Sequence, residues 1–198
     1  MPAEAPELTT DPRPARTRAA IISAVETLVA DPSTDISVNA IARAAGVSRS
    51  AFYSQFADLD ELAVAMLVDA FRDIGLDDLG ARARPDADRR DLAITSNRRL
   101  LAHLGERCAF YRASLGWRLS GRVHETVVDA YADQVAATMA TLGGAVPPGI
   151  DRADAARFVA GGAIALLTSW VRGEAPHGQE AMVGRLLAVM PDWLVGTD

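Results

Sequence analysis

The chain has 198 residues, 49% of them hydrophobic, which is room for one large or two small domains with a buried core. It is acidic, at a formal net charge of -6, so any nucleic-acid footprint has to come from local clustering of cations. A single cysteine, Cys108, excludes an intramolecular disulfide, and no Cys/His cluster has metal-ligand spacing, so no metal or other cofactor is expected.

Residues 1–12, MPAEAPELTTDP, are proline-rich and acidic and predict a disordered arm without the basic start and apolar stretch of a signal peptide. From Ala15 to Val29, Ile21, Ile22, Val25, Leu28 and Val29 recur every three to four residues, the period of a helix. Pro12 and Pro14 limit it upstream and Asp31-Pro32 stops it.

The segment from Ser37 to Phe56, SVNAIARAAGVSRSAFYSQF, reads as two short helices joined by a tight turn. Ser37 suits the cap of the first and Ser48 the cap of the second, because a side-chain oxygen can accept from an otherwise unpaired backbone N–H. Val38, Ile41, Ala42 and Ala45 form an apolar face, and Gly46 stands where the chain must reverse. Phe52 and Phe56 turn the second helix inward, while Arg49, Ser50, Tyr53 and Gln55 occupy its other face. Such a pair is the helix-turn-helix layout, whose second helix enters the major groove. Arg43 and Arg49 are the only charged residues between Ile36 and Ala57, with Arg13, Arg16 and Arg18 upstream, so this segment escapes the acidic background. A well-capped helical corner in an enzyme or a protein-interaction adaptor has the same pattern. Against an enzyme stands the lack of a Gly-rich phosphate loop, a nucleophile elbow or HExxH; against an adaptor stands the polar outer face. Downstream, Asp58 and Glu61 resemble a capping box that opens a helix through Leu62, Met66 and Phe71 toward Gly75.

ARTRAAIISAVETLVA, ISVNAIARAAGVSRSAFYSQF and DLDELAVAML together resemble the amino-terminal domain of TetR-type transcriptional regulators, over about residues 13 to 70. The resemblance implies an all-α protein. An amino-terminal three-helix helix-turn-helix DNA-binding domain (13–58) would be followed by a connecting helix (59–76) and a larger helical effector-binding and dimerisation domain (77–198). It implies a homodimer on a double-stranded DNA operator, with Ser37, Asn39, Ser48, Arg49, Ser50, Tyr53 and Gln55 as the DNA-binding set, and no catalysis. Two positions depart from the family pattern: Ser50 replaces a frequent glycine, and Leu59 replaces the usual lysine at the start of the fourth helix, between Asp58 and Asp60. The second removes a phosphate contact and predicts weaker nonspecific affinity.

From Pro85 onward helices are predicted at about 86–104, 106–119, 122–142, 151–172 and 179–195, with Pro191 ending or bending the last one early. Polar and aromatic residues on their apolar faces are the candidate effector contacts: Asn97, Tyr111, Trp117, Tyr131, Gln134 and Thr168. Buried tyrosines and tryptophans are equally ordinary core residues. The candidates are aromatic, apolar and sparsely charged, which predicts a lipophilic small-molecule effector. Phe158 to Val171 is the longest apolar run, shorter than the roughly 20 residues a spanning helix needs. It is expected to be buried in protein, with Gly161, Gly162 and Trp170 at a dimer interface. No membrane association and a cytoplasmic location are expected.

Overall fold

A computed structural model of the protein describes residues 12–31, 36–114, 121–173 and 178–197. Most of the expected amino-terminal arm, and Trp117, lie outside the described residues. The chain divides into two compact units, Met1–Asp58 and Leu59–Asp198.

The first unit holds α1 (Arg13–Val29), α2 (Val38–Ala44) and α3 (Arg49–Tyr53). Pro14 sits in the first turn of α1, where a missing N–H is no loss, so the helix starts before Ala15. Ile21, Ala24 and Val25 turn inward and pack on α2 and α3, and Ile41, Phe52 and Phe56 complete the core. The Arg18 guanidinium lies 4.8 Å from the centre of the buried Phe56 ring, a cation–π contact.

The second unit is a bundle of α4 (Leu59–Arg82), α5 (Arg89–Glu106), α6 (Cys108–Ser114), α7 (Gly121–Thr141), α8 (Arg152–Arg172), α9 (Gln179–Val189) and α10 (Asp192–Val195). No strand occurs among the described residues, and none of their helices is long and apolar enough to cross a membrane. Asp88 caps α5 by accepting from the backbone N–H groups of Arg90 and Asp91, and Asp151 caps α8 in the same way through Ala153 and Asp154. Gly173, at φ +75°, ends α8. Pro191 separates α9 from the short α10. α4 packs against α5, α6 and α7, α7 against α8, and α5 against α9.

Two expectations need correction. α4 does not end near Gly75 but continues to Arg82. Gly75 is buried inside it, and a Cβ there would collide with the Gln134 amide of α7, so this glycine serves close helix packing rather than termination. The apolar run on α8 is not buried on nearly all sides within its own chain. Val159, Ala160, Ala163, Ile164, Leu167 and Val171 are buried, but Phe158 is 81% exposed and Gly162 and Ala165 are open.

Candidate nucleic-acid interface and ligand cavities

The corner between α2 and α3 is built by its side chains. Ser37 Oγ accepts from the Ala40 N–H at 3.3 Å, and Ser48 Oγ from the Ala51 N–H at 3.1 Å. Each satisfies a donor that the first turn leaves unpaired. Gly46 takes φ +66° in open space, so glycine is required there by the backbone and not by crowding. The Gly46 and Val47 N–H groups donate to the Arg43 and Ala42 carbonyls and close the end of α2. Beyond Tyr53, the Phe56 N–H still donates to the Phe52 carbonyl, so the helical path reaches Phe56.

Burial of Phe52 and Phe56 orients the rest of the segment. Arg49, Ser50 and Tyr53 are exposed, and Gln55 is half-buried. Tyr53 is 47% exposed, unusual for a ring this size, with the Arg49 guanidinium 5.9 Å from its centre. The Ser48 and Ser50 hydroxyls are 2.9 Å apart. The face therefore offers a planar cationic fork, hydroxyl groups and a phenol. That donor set suits phosphate oxygens and the acceptor edge of guanine.

The second unit contains an open groove of about 450 Å³ beside Ile150, Phe158 and Trp193, and two smaller cavities that hold the residues predicted for an effector. The larger of these two, about 80 Å³, has walls from α4 (Phe71, Gly75, Asp78, Arg82), α5 (Ser96, Asn97), α7 (Tyr131, Gln134, Thr138) and the end of the bundle near Met190 and Leu194. Its wall carries a buried ion pair: Arg82 Nε donates to Asp78 Oδ2 at 2.6 Å, with both side chains nearly closed off from solvent. The Ser96 hydroxyl donates to Asp78 Oδ1 at 2.9 Å, and Thr138 approaches Oδ2 at 3.5 Å. These donors repay the carboxylate for its lost water. Arg82 Nη1 and Asn97 Oδ1 are buried without a hydrogen-bonding partner, a state that costs about 1–3 kcal/mol per group. Burial, and secondarily the Asp78 charge, push the Tyr131 phenol up to about 12, so it stays neutral. Its ring stacks at a tilt on Phe71, centre to centre 5.0 Å. The smaller cavity, about 40 Å³, is lined mainly by Leu67, Phe71, Leu104, Val127, Ile164 and Leu167, with Tyr111, His124 and Thr168. Tyr111 is fully buried and shares a 2.7 Å hydrogen bond with His103 Nε2. Burial raises its phenol pKa, against the opposing charge of Arg107.

Residues 21–66 match the family described as bacterial regulatory proteins, tetR family. Over that amino-terminal segment the chain is similar to the TetR family. The fold agrees over most of the chain's length with several solved structures. AlkX of Dietzia sp. strain DQ12-45-1b, a repressor implicated in biodegradation of n-alkanes, aligns at TM-score 0.59 and 17% identity over 89% of this chain and 94% of its own. RolR in complex with resorcinol aligns at 0.59 and 18%, covering 90% and 89%. The fatty acid degradation regulator FadR of Bacillus halodurans aligns at 0.57 and 15%, covering 95% and 97%. At these identities the likeness is one of fold. No curated protein is significantly similar to the chain in sequence.

The seven residues predicted for DNA fall on or beside one corner. Asn39, Ser48, Arg49, Ser50 and Tyr53 are exposed, while Ser37 and Gln55 are half-buried. Ser37 and Ser48 already use their hydroxyl oxygens as caps. The effector candidates divide between the cavities: Asn97, Tyr131 and Gln134 line the larger, Tyr111 and Thr168 the smaller, and Phe71 lines both. Gly161 and Gly162 have nothing within 4 Å of where a Cβ would be. The Trp170 ring instead lies beside Gly105 of α5. Sequence reasoning missed Asp78 and Arg82. The available signal was position: Asp78 lies three residues past Gly75 and seven past Phe71, on the buried stripe of α4.

Proposed function

We propose that the protein is a dimeric transcriptional repressor that leaves an inverted-repeat operator when a small effector enters its helical unit. It acts by binding and not by catalysis, in the cytoplasm. The observation that carries the reading is the capped corner whose second helix exposes Arg49, Ser50 and Tyr53 while burying Phe52. The effector lies in one of the two cavities and is mainly lipophilic, since most of the lining is aliphatic or aromatic. α4 would couple the two activities: it begins at Leu59, the first residue after the DNA-binding unit, and carries Phe71, Gly75, Asp78 and Arg82 of the cavity wall. An effector shifts the equilibrium only by its differential affinity for the DNA-competent and released arrangements.

The homodimer rests on the uncovered face of α8 and α9. Phe158 is 81% and Val189 67% exposed, and the space over Gly161, Gly162 and Gly184 is open. A second copy bringing the same face would bury it around a two-fold axis. The test is a mobility-shift titration with DNA fragments from around the gene, repeated at several salt concentrations. A sequence-preferring, salt-dependent complex is expected. Retention of no fragment over random DNA would sink the reading.

A further inference from the structure

The larger cavity carries information about the chemistry of its ligand. Its two partnerless atoms are of opposite kind: Arg82 Nη1 can only donate and Asn97 Oδ1 can only accept. Neither orientation is arbitrary. Asn97 Nδ2 donates to the Ala93 carbonyl at 2.8 Å, which assigns the amide nitrogen to the helix and leaves the oxygen over. Arg82 Nε is held on Asp78, which fixes the guanidinium plane. Thr138 and Ser96, the hydroxyls nearest by, are directed to Asp78. Among the described residues, Asp78 and Arg82 are the charged members of the wall, and they neutralise each other. An anion in the cavity would lie near Asp78 without an unmatched cation, and a cation would meet Arg82, so burying either is unfavourable.

We infer that this cavity takes an uncharged molecule with an apolar body and a hydroxyl function, whose oxygen accepts from Arg82 and whose proton goes to Asn97. This rests on the reading of the helical unit as the effector-binding part. A cavity of about 80 Å³ has room for about three waters at ~30 Å³ each, roughly half the space that takes a benzene ring, so the ligand is a small alcohol or phenol and a six-membered ring enters only as the wall moves outward. Both partnerless atoms are shielded from solvent, so binding requires the apolar side chains of the wall to move aside while Arg82 stays on Asp78 and Asn97 on Ala93.

The test uses the full chain and a series of matched six-membered rings: methylcyclohexane, cyclohexanone, cyclohexanol, cyclohexylammonium and cyclohexanecarboxylate. Affinity is measured by protein-observed NMR titration up to about 10 mM, a range suited to fragments of this size. Cyclohexanol is expected to bind about tenfold tighter than methylcyclohexane and measurably tighter than cyclohexanone, which only accepts. Both ions should bind about tenfold weaker than the alcohol. Asn97→Leu should abolish the preference for alcohol over ketone; if that variant does not fold, the ranking on the wild type decides alone. Equal affinity for alcohol and hydrocarbon overturns the inference, as does a preference for either ion, saturation by no probe, or a folded Asn97→Leu that keeps the alcohol preference. An added DNA titration separates the two readings. Cyclohexanol that binds with the expected ranking but leaves operator affinity unaltered supports the cavity chemistry and counts against its use as an effector site.

Discussion

Single side chains carry the proposed recognition chemistry. Arg49 is the long cation on the outer face of α3, and its guanidinium can contact guanine O6 and N7 together. Arg49→Ala is expected to weaken operator binding by about 1–3 kcal/mol and to relax preference at one base pair per half-site, read by competition with operator variants. Tyr53→Phe should weaken all sequences alike, because its hydroxyl would meet phosphate. In the helical unit, Arg82→Ala would leave the buried Asp78 carboxylate with hydroxyl donors alone. A loss of about 3–5 kcal/mol in chemical denaturation is expected, and a loss below 1 kcal/mol would mean that the pair is open to water. Tyr131 supplies a pH dependence. Its phenol is pushed up to about 12 in the native state, while an unfolded chain ionises it near 10. Its preference for the native state is fully present below pH 10 and is lost as pH rises from about 10 to about 12, a change of roughly 1–3 kcal/mol. Tyr131→Phe should flatten the fall in melting temperature over that window. Some slope should remain from Tyr111, which burial also raises.

At the scale of elements, legibility followed local chemistry. The caps at Ser37 and Ser48 and the turn at Gly46 were readable because each depends on atoms a few residues away. The length of α4 was not, because Gly75 has two meanings that sequence leaves open: a helix end, or a site of close packing. Its true partner, Gln134, is a long way off in the chain, on α7. Gly75→Ala is therefore expected to force α4 and α7 apart or displace the Gln134 amide, destabilising the unit by about 1–3 kcal/mol despite alanine's higher helix propensity. A more stable variant in thermal denaturation would show that the contact relaxes freely. The buried acid on α4 was missed for a related reason. Asp78 and Arg82 are four residues apart, a spacing equally typical of an exposed helix pair, and only packing by α5 and α7 removes them from water.

At the scale of the whole molecule, the uncovered face of α8 and α9 is the contact surface of the proposed dimer. Gly162→Leu places a large side chain where the chain itself has open space, so the fold should survive. The dimer should not, because two helices approaching at that face would be held apart. Light scattering is expected to give a dimer mass for the wild type and a monomer mass for the variant, each with unchanged helical content. A wild-type monomer at micromolar concentration would count decisively against the proposed assembly.

The sequence alone determined the helix-turn-helix corner and its polar face, since periodicity, caps and turn residues act over a few positions, and the family resemblance carried by those motifs implied the all-α class. It also singled out Asn97 as a polar member of an apolar stripe. Only the tertiary structure decided that Asn97, Tyr131 and Gln134 share one cavity while Tyr111 lies at another, and that the first wall holds an ion pair. Those facts depend on which helices meet and at what separation. Such long-range packing is set by the fit of many side chains at once, and no single segment records it.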